Sequence, residues 1–207
     1  MKKRLFLLII PGLLCFFIYK ITFKKTNYIL ALGDSSCLAL SPNGVKTKSY
    51  NNYLSQHLSS DLNDNHCQKN STIYNLYQKI LNNDNQILKD LDQANYITIM
   101  VGYDELTSYK KLDNILIRDF LDNYNNLLKS IIKNTKAKVF AIGFYGEYFN
   151  NVDELNKKLK VISVNNNAIF VDTSNIFFNN NNFYNSKNYH LNRIGNRNLF
   201  IKIKENL

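Results

Sequence analysis

Apolar positions along the chain fall into two kinds of run. Short, nearly continuous ones occupy Tyr28–Leu32, Thr72–Leu76, Tyr96–Val101, Lys138–Gly143 and Ala168–Asp172. They are rich in Ile, Val, Tyr and Phe and lack a clean period of two, which suits strands buried on both faces of a parallel sheet. Between them, apolar residues recur at three and four, the spacing that lines one face of a helix. These segments are Ser49–Leu62, with Ser49 as a candidate cap, then Asn83–Leu91, Ile115–Ile132, Val152–Val164, and a last one from Leu191 towards Lys204. Ile115–Ile132 is the most regular, with Ile117, Phe120, Leu121, Tyr124, Leu127, Leu128 and Ile131 in register. Strand and helix alternate along the whole chain. That order predicts an α/β fold with a doubly wound, five-stranded parallel sheet and right-handed crossovers. No internal repeat interrupts it, and the Asn179–Asn182 tract reads as a surface loop.

The first residues break the alternation. Lys2-Lys3-Arg4 precede Leu5–Tyr19, an uncharged apolar stretch that contains Pro11 and Gly12 and extends towards Phe23 if Lys20 snorkels. A membrane span takes about 20 residues, and basic residues ahead of it favour a cytoplasmic N-terminus with the remainder exported. The chain is therefore divided into 1–25, an N-terminal membrane helix or signal segment, and 26–207, the globular domain. No small-x-small cleavage site follows Tyr19, and Leu13 and Leu14 before Cys15 do not suit a lipoprotein. An uncleaved anchor is the favoured reading, with a cleaved signal peptide as the alternative. Either places the domain on the extracytoplasmic side of the cell membrane, with the anchor making it single-pass.

The formal charge of +10 over 207 residues invites a nucleic-acid partner, but its distribution does not. Residues 1–25 carry six basic side chains and no acid, so the rest of the chain is only +4. It shows neither a basic stripe interleaved with aromatics nor a nucleic-acid motif. No Cys/His spacing suits zinc, and no cofactor is implied. Cys37 and Cys67 both fall in the exported part, where pairing is open to them, although two cysteines do not make a disulfide framework.

Candidate chemistry lies at two distant places. The strand Tyr28–Leu32 runs into Gly33-Asp34-Ser35-Ser36-Cys37, which puts a serine hydroxyl at the carboxyl edge of the sheet, where open α/β folds keep their sites. Far downstream stands Tyr189-His190-Leu191-Asn192-Arg193-Ile194-Gly195. His57 falls inside a helix and His66 in a polar loop, which leaves His190 as the base candidate. A serine hydroxyl is a poor nucleophile until an imidazole removes its proton during attack and returns it to the leaving alkoxide.

On these residues the chain resembles the SGNH/GDSL hydrolase family over 28–205. The resemblance implies a flavodoxin-like three-layer α/β/α sandwich, with Gly33-Asp34-Ser35 as the first block and Ser35 as nucleophile. Asn43-Gly44 and Lys48-Ser49-Tyr50 also look like small bacterial members. The other blocks depart from the pattern. The family's Gly-x-Asn-Asp is here Gly102-Tyr103-Asp104-Glu105, with Asp104 where an oxyanion-binding Asn belongs. The second-block glycine has no counterpart in Asn75-Leu76-Tyr77-Gln78-Lys79-Ile80, and Asp-x-x-His becomes Lys187-Asn188-Tyr189-His190. An ionised Asp104 repels an oxyanion, and Lys187 cannot orient the imidazole as a carboxylate does. Lys187 is instead a candidate partner for Asp104 or a source of positive charge for the oxyanion, against the plainer reading of a solvated loop lysine. Asp172 is a backup orienter or a loop cap.

The expected function is that of a membrane-anchored serine esterase acting on a small acyl or O-acetyl ester, as a free ester or on an acylated envelope glycan or lipid. It would work through a Ser35–His190 dyad, with Gly33, Asp34, Gly102, Asp104 and Lys187 lining the oxyanion site. The rival expectation is a degenerate, non-catalytic domain of the same fold that binds a glycan or a protein.

Overall fold

A computed structural model describes residues 27–108, 113–146, 152–173 and 190–207. The segment 1–25 and Lys187 lie outside the described residues, and among those described no helix is long and apolar enough to cross a membrane.

Five strands form one parallel sheet: β1 (Asn27–Gly33), β2 (Ser60–Cys67), β3 (Tyr96–Met100), β4 (Lys138–Ile142) and β5 (Ile169–Val171), in the order β2-β1-β3-β4-β5. The helices are α1 (Tyr50–Leu58), α2 (Ile73–Leu81), α3 (Asn85–Gln93), α4 (Tyr103–Ser108), α5 (Asn114–Lys133), α6 (Val152–Asn165) and α7 (Arg193–Lys204). α1 packs with α7 on one face of the sheet, and α2, α5 and α6 pack side by side on the other, giving the three layers expected. The central strands are buried on both faces, as their continuous apolar runs require. Ile29, Leu30, Ala31 and Leu32 of β1 have no exposed surface, and neither does Phe140 or Ala141 of β4.

Two elements differ from the pattern reading. Thr72–Leu76 is the start of a helix, not a strand: Thr72 caps α2 by accepting the Asn75 N–H, and Ile73, Leu76 and Ile80 bury one helical face. The second strand is instead Ser60-Asp61-Leu62-Asn63-Asp64-Asn65-His66-Cys67, within and beyond the tail of the predicted first helix. β2 is an edge strand, partly exposed along most of its length, so it needs no apolar run. The helix before it stops at Leu58 because Ser59 turns into the left-handed conformation (φ 48°).

Chain order places the site. β1 is followed by a crossover to β2 on one side, and the next strand, β3, pairs with the other side of β1. The direction of winding therefore reverses between β1 and β3. The carboxyl ends of these two strands flank the crevice where such sheets bind ligands.

Candidate functional site

Gly33 ends β1 against β3. A Cβ there would lie 1.9 Å from the Met100 carbonyl oxygen, so only glycine lets the two backbones meet. The next residue exploits that approach: the Asp34 N–H donates to Met100 O at 3.2 Å. The Asp34 side chain, fully buried, then ties the loops after β1 and β3 together. One carboxylate oxygen accepts from the Gly102 N–H (2.8 Å) and the Asp104 N–H (3.1 Å). The other accepts from the Ser36 N–H at 2.9 Å and from the Ser36 hydroxyl. Burial first, and the neighbouring Asp104 second, push the Asp34 carboxyl up to about 6, against the pull of those donors. Gly33 and Asp34 thus lie beneath the site and hold it up, and the Gly102 N–H is spent on Asp34.

Ser35 opens a one-turn 3-10 segment, Ser35–Leu38, whose cap is Asp34. Its hydroxyl donates to one oxygen of Asp104 at 2.5 Å, and its N–H donates to the other at 3.2 Å. The same second oxygen accepts the Asn70 N–H at 2.7 Å. Two backbone donors from different loops therefore converge on one anionic oxygen beside the serine hydroxyl. Asn70 was not singled out from sequence. It sits in the turn after β2 in the left-handed conformation (φ 60°), which Asn tolerates better than other residues bearing a side chain. The only sequence signal for it is the polar turn Lys69-Asn70-Ser71 after Cys67.

That turn is fixed to the serine loop twice. The Gln68 N–H donates to Gly33 O at 3.1 Å, and a disulfide joins Cys37 to Cys67. The pairing that sequence left open is formed, with both residues buried.

His190 reaches the same rim from the other end of the chain. It is 7% exposed and precedes α7, whose cap Asn192 accepts the N–H groups of Ile194 and Gly195 at 2.9 and 3.0 Å. Asn196 holds this segment against α1: its amide donates to Leu191 O at 2.8 Å, and its carbonyl accepts the Tyr50 N–H at 3.0 Å. Burial lowers the pKa of His190, the Asp104 carboxylate raises it, and the Lys69 ammonium lowers it again. Asp104 is thus the common neighbour, hydrogen-bonded to Ser35 and acting electrostatically on His190.

The other residues of the third block, the other two histidines and Asp172 have other places. Glu105 accepts the Ile73 N–H at 3.1 Å and so serves the start of α2. Tyr103 is buried and receives the Tyr145 N–H on its hydroxyl. His57 packs its ring against Phe200, and His66 pairs with Asp90 at 2.8 Å. Asp172 is exposed at the end of β5. Among the described residues no cluster of His, Cys, Asp or Glu is arranged to hold a metal ion.

No protein-family model and no curated protein matches the sequence. Solved structures do match the fold. A G-D-S-L-family lipolytic protein from Desulfitobacterium hafniense aligns over 88% of this chain and 100% of its own, with a TM-score of 0.67 at 15% identity. A lipase/acylhydrolase from Enterococcus faecalis aligns over 87% and 95% with a TM-score of 0.65 at 14% identity. An acetylxylan esterase from Geobacillus stearothermophilus aligns over 86% and 93% with a TM-score of 0.61 at 18% identity. The chain has the SGNH/GDSL hydrolase fold.

Within the SGNH fold, the departures noted from sequence acquire positions. Asn75–Ile80, compared with the second block, lies in α2 and supplies no donor to the site; the N–H on that side comes from Asn70. Asp104, compared in sequence with the third-block Asn, accepts the Ser35 and Asn70 N–H groups.

Proposed function

We propose that this chain is an exported SGNH-type serine esterase that hydrolyses a small acyl or O-acetyl ester, with Ser35 as nucleophile and His190 as general base and then acid. The observation that carries the reading is the convergence of the Ser35 and Asn70 N–H groups on one oxygen position beside the Ser35 hydroxyl. Such a pair is what a tetrahedral oxyanion needs, and losing one preorganised donor typically costs about 2.7–4 kcal/mol of transition-state stabilisation. Ser35 Oγ adds to the ester carbonyl carbon as His190 takes its proton. The intermediate then expels the alcohol, which receives that proton. Water, activated in turn by His190, releases the acid from the acylated serine.

The surroundings favour a polar acyl carrier. A cleft of about 540 Å³ has Asn70 in its lining, together with the amides of Gln68 and Asn75, the ammonium groups of Lys69 and Lys79, the Ser71 hydroxyl and the Asp84 carboxylate. Sugar hydroxyls suit such a lining, and O-acetylated glycan is the substrate class proposed, in keeping with the acetylxylan esterases of this fold. The Cys37–Cys67 disulfide supports an extracytoplasmic location, since such bonds persist in oxidising compartments. Leu5–Tyr19 with its basic flank supplies the membrane anchor.

A fluorophosphonate probe should label the purified domain at Ser35, and Ser35→Ala should abolish both the label and the turnover of 4-nitrophenyl acetate. A domain that takes no label and turns over no short-chain ester is a binding module instead. The carboxylate of Asp104 on the serine is the observation that favours this second reading.

A further inference from the structure

A carboxylate oxygen in a pocket made for an oxyanion is an internal occupant of that pocket. Asp104 Oδ2 accepts the Ser35 N–H at 3.2 Å and the Asn70 N–H at 2.7 Å, while its Oδ1 holds the Ser35 hydroxyl at 2.5 Å. One side chain thus takes up both backbone donors and the nucleophile's proton. Its own backbone is pinned, because the Asp104 N–H is bound by Asp34, so the carboxylate can leave the pocket only by side-chain rotation.

From these contacts we infer that Asp104 is a built-in gate: it closes the oxyanion pocket of the resting protein, and the charge on residue 104 sets the fraction of molecules ready to react. The inference rests on the hydrolytic reading and deepens it. An ester carbonyl is a neutral, weaker acceptor than a carboxylate, so it competes poorly for the two N–H groups. The gate therefore acts on the ground state by occupying the donors. It acts on the transition state as well, by placing negative charge beside a second developing anion. Removing the charge without changing the shape should relieve both effects. An Asn side chain at 104 offers only a neutral oxygen to the donors and presents an N–H₂ that can turn towards the oxyanion.

The test compares fluorophosphonate labelling rates at Ser35, and 4-nitrophenyl acetate turnover, for the wild-type domain, Asp104→Asn and Asp104→Ser. Thermal unfolding of each confirms the fold. The Ser variant retracts the occupant altogether and keeps the comparison open if the Asn variant does not fold. At least tenfold faster labelling and turnover in the variants than in a wild-type domain that itself takes the label is the expected result. Wild-type labelling that the variants match or fall below overturns the gate and leaves the esterase reading in place. No label on any of the folded proteins overturns the esterase reading and the gate with it.

Discussion

Asp34 should behave unlike an ordinary structural carboxylate: replacing it should harm the protein more in acid than at neutral pH. The side chain is fully buried and accepts the N–H groups of Ser36, Gly102 and Asp104 and the Ser36 hydroxyl. Asp34→Ala orphans these donors. At roughly 1–3 kcal/mol for each buried unsatisfied group, the three N–H groups alone set a penalty of at least about 3 kcal/mol. Ionisation works against the wild type. Its carboxyl rises from 3.8 to about 6 on folding, mainly through burial and then through Asp104. The folded state therefore binds this proton more tightly than the unfolded chain does. The stability so gained is complete below the unfolded pKa and lost as pH rises through the folded one. A shift of that size corresponds to roughly 3 kcal/mol. Alanine has no proton to lose, so the penalty of Asp34→Ala should shrink by roughly 3 kcal/mol between about pH 3 and about pH 7. Urea unfolding of both proteins across that range measures it. A penalty that stays constant, or grows towards neutral pH, would refute the assignment of Asp34 as a buried carboxyl held largely protonated in acid.

Reducing the Cys37–Cys67 bridge, or making Cys37→Ser with Cys67→Ser, removes a closure across 30 residues of sequence. Chain entropy puts the loss of stability at roughly 3.5 kcal/mol, readable as a lower urea midpoint, and the proposed esterase activity should fall too because the bridge fixes the Asn70 turn to the serine loop. Asn196→Ala should cost roughly 2–3 kcal/mol by orphaning the Tyr50 N–H and the Leu191 carbonyl. It should also lower kcat more than it raises KM, because it loosens the His190 segment. On the proposed mechanism His190 must be neutral to accept the Ser35 proton, and burial holds its pKa below 6.5. The acid limb of kcat/KM should therefore fall below pH 6.5, and Lys69→Ala should move it upward by removing a charge that lowers that pKa.

Much of the scaffold was legible because buried parallel strands and amphipathic helices write their burial into local composition. β1, β3, β4 and β5 sit within a residue or two of the predicted runs, and the helix over Asn114–Lys133 was read almost to its ends. β2 escaped because an edge strand has little burial to record: Ser60–Cys67 is mostly polar. Thr72–Leu76 misled because a five-residue apolar cluster looks the same whether it starts a strand or a helix. Only Ile80, a further turn along, shows the helical period.

Sequence alone determined that a serine follows the first strand, that a histidine precedes the last helix, and that Asp104 and Lys187 stand where other side chains were expected; these are matters of order along the chain. The tertiary structure decided what those residues meet. It bonded Asp104 to Ser35, brought the Asn70 N–H from a third loop, turned Asp34 beneath the site and closed Cys37 onto Cys67. The physical reason is that these interactions join residues some 30 to 70 positions apart and are made largely by backbone N–H groups. Every non-proline residue has such a group, and only the fold decides which of them face one another.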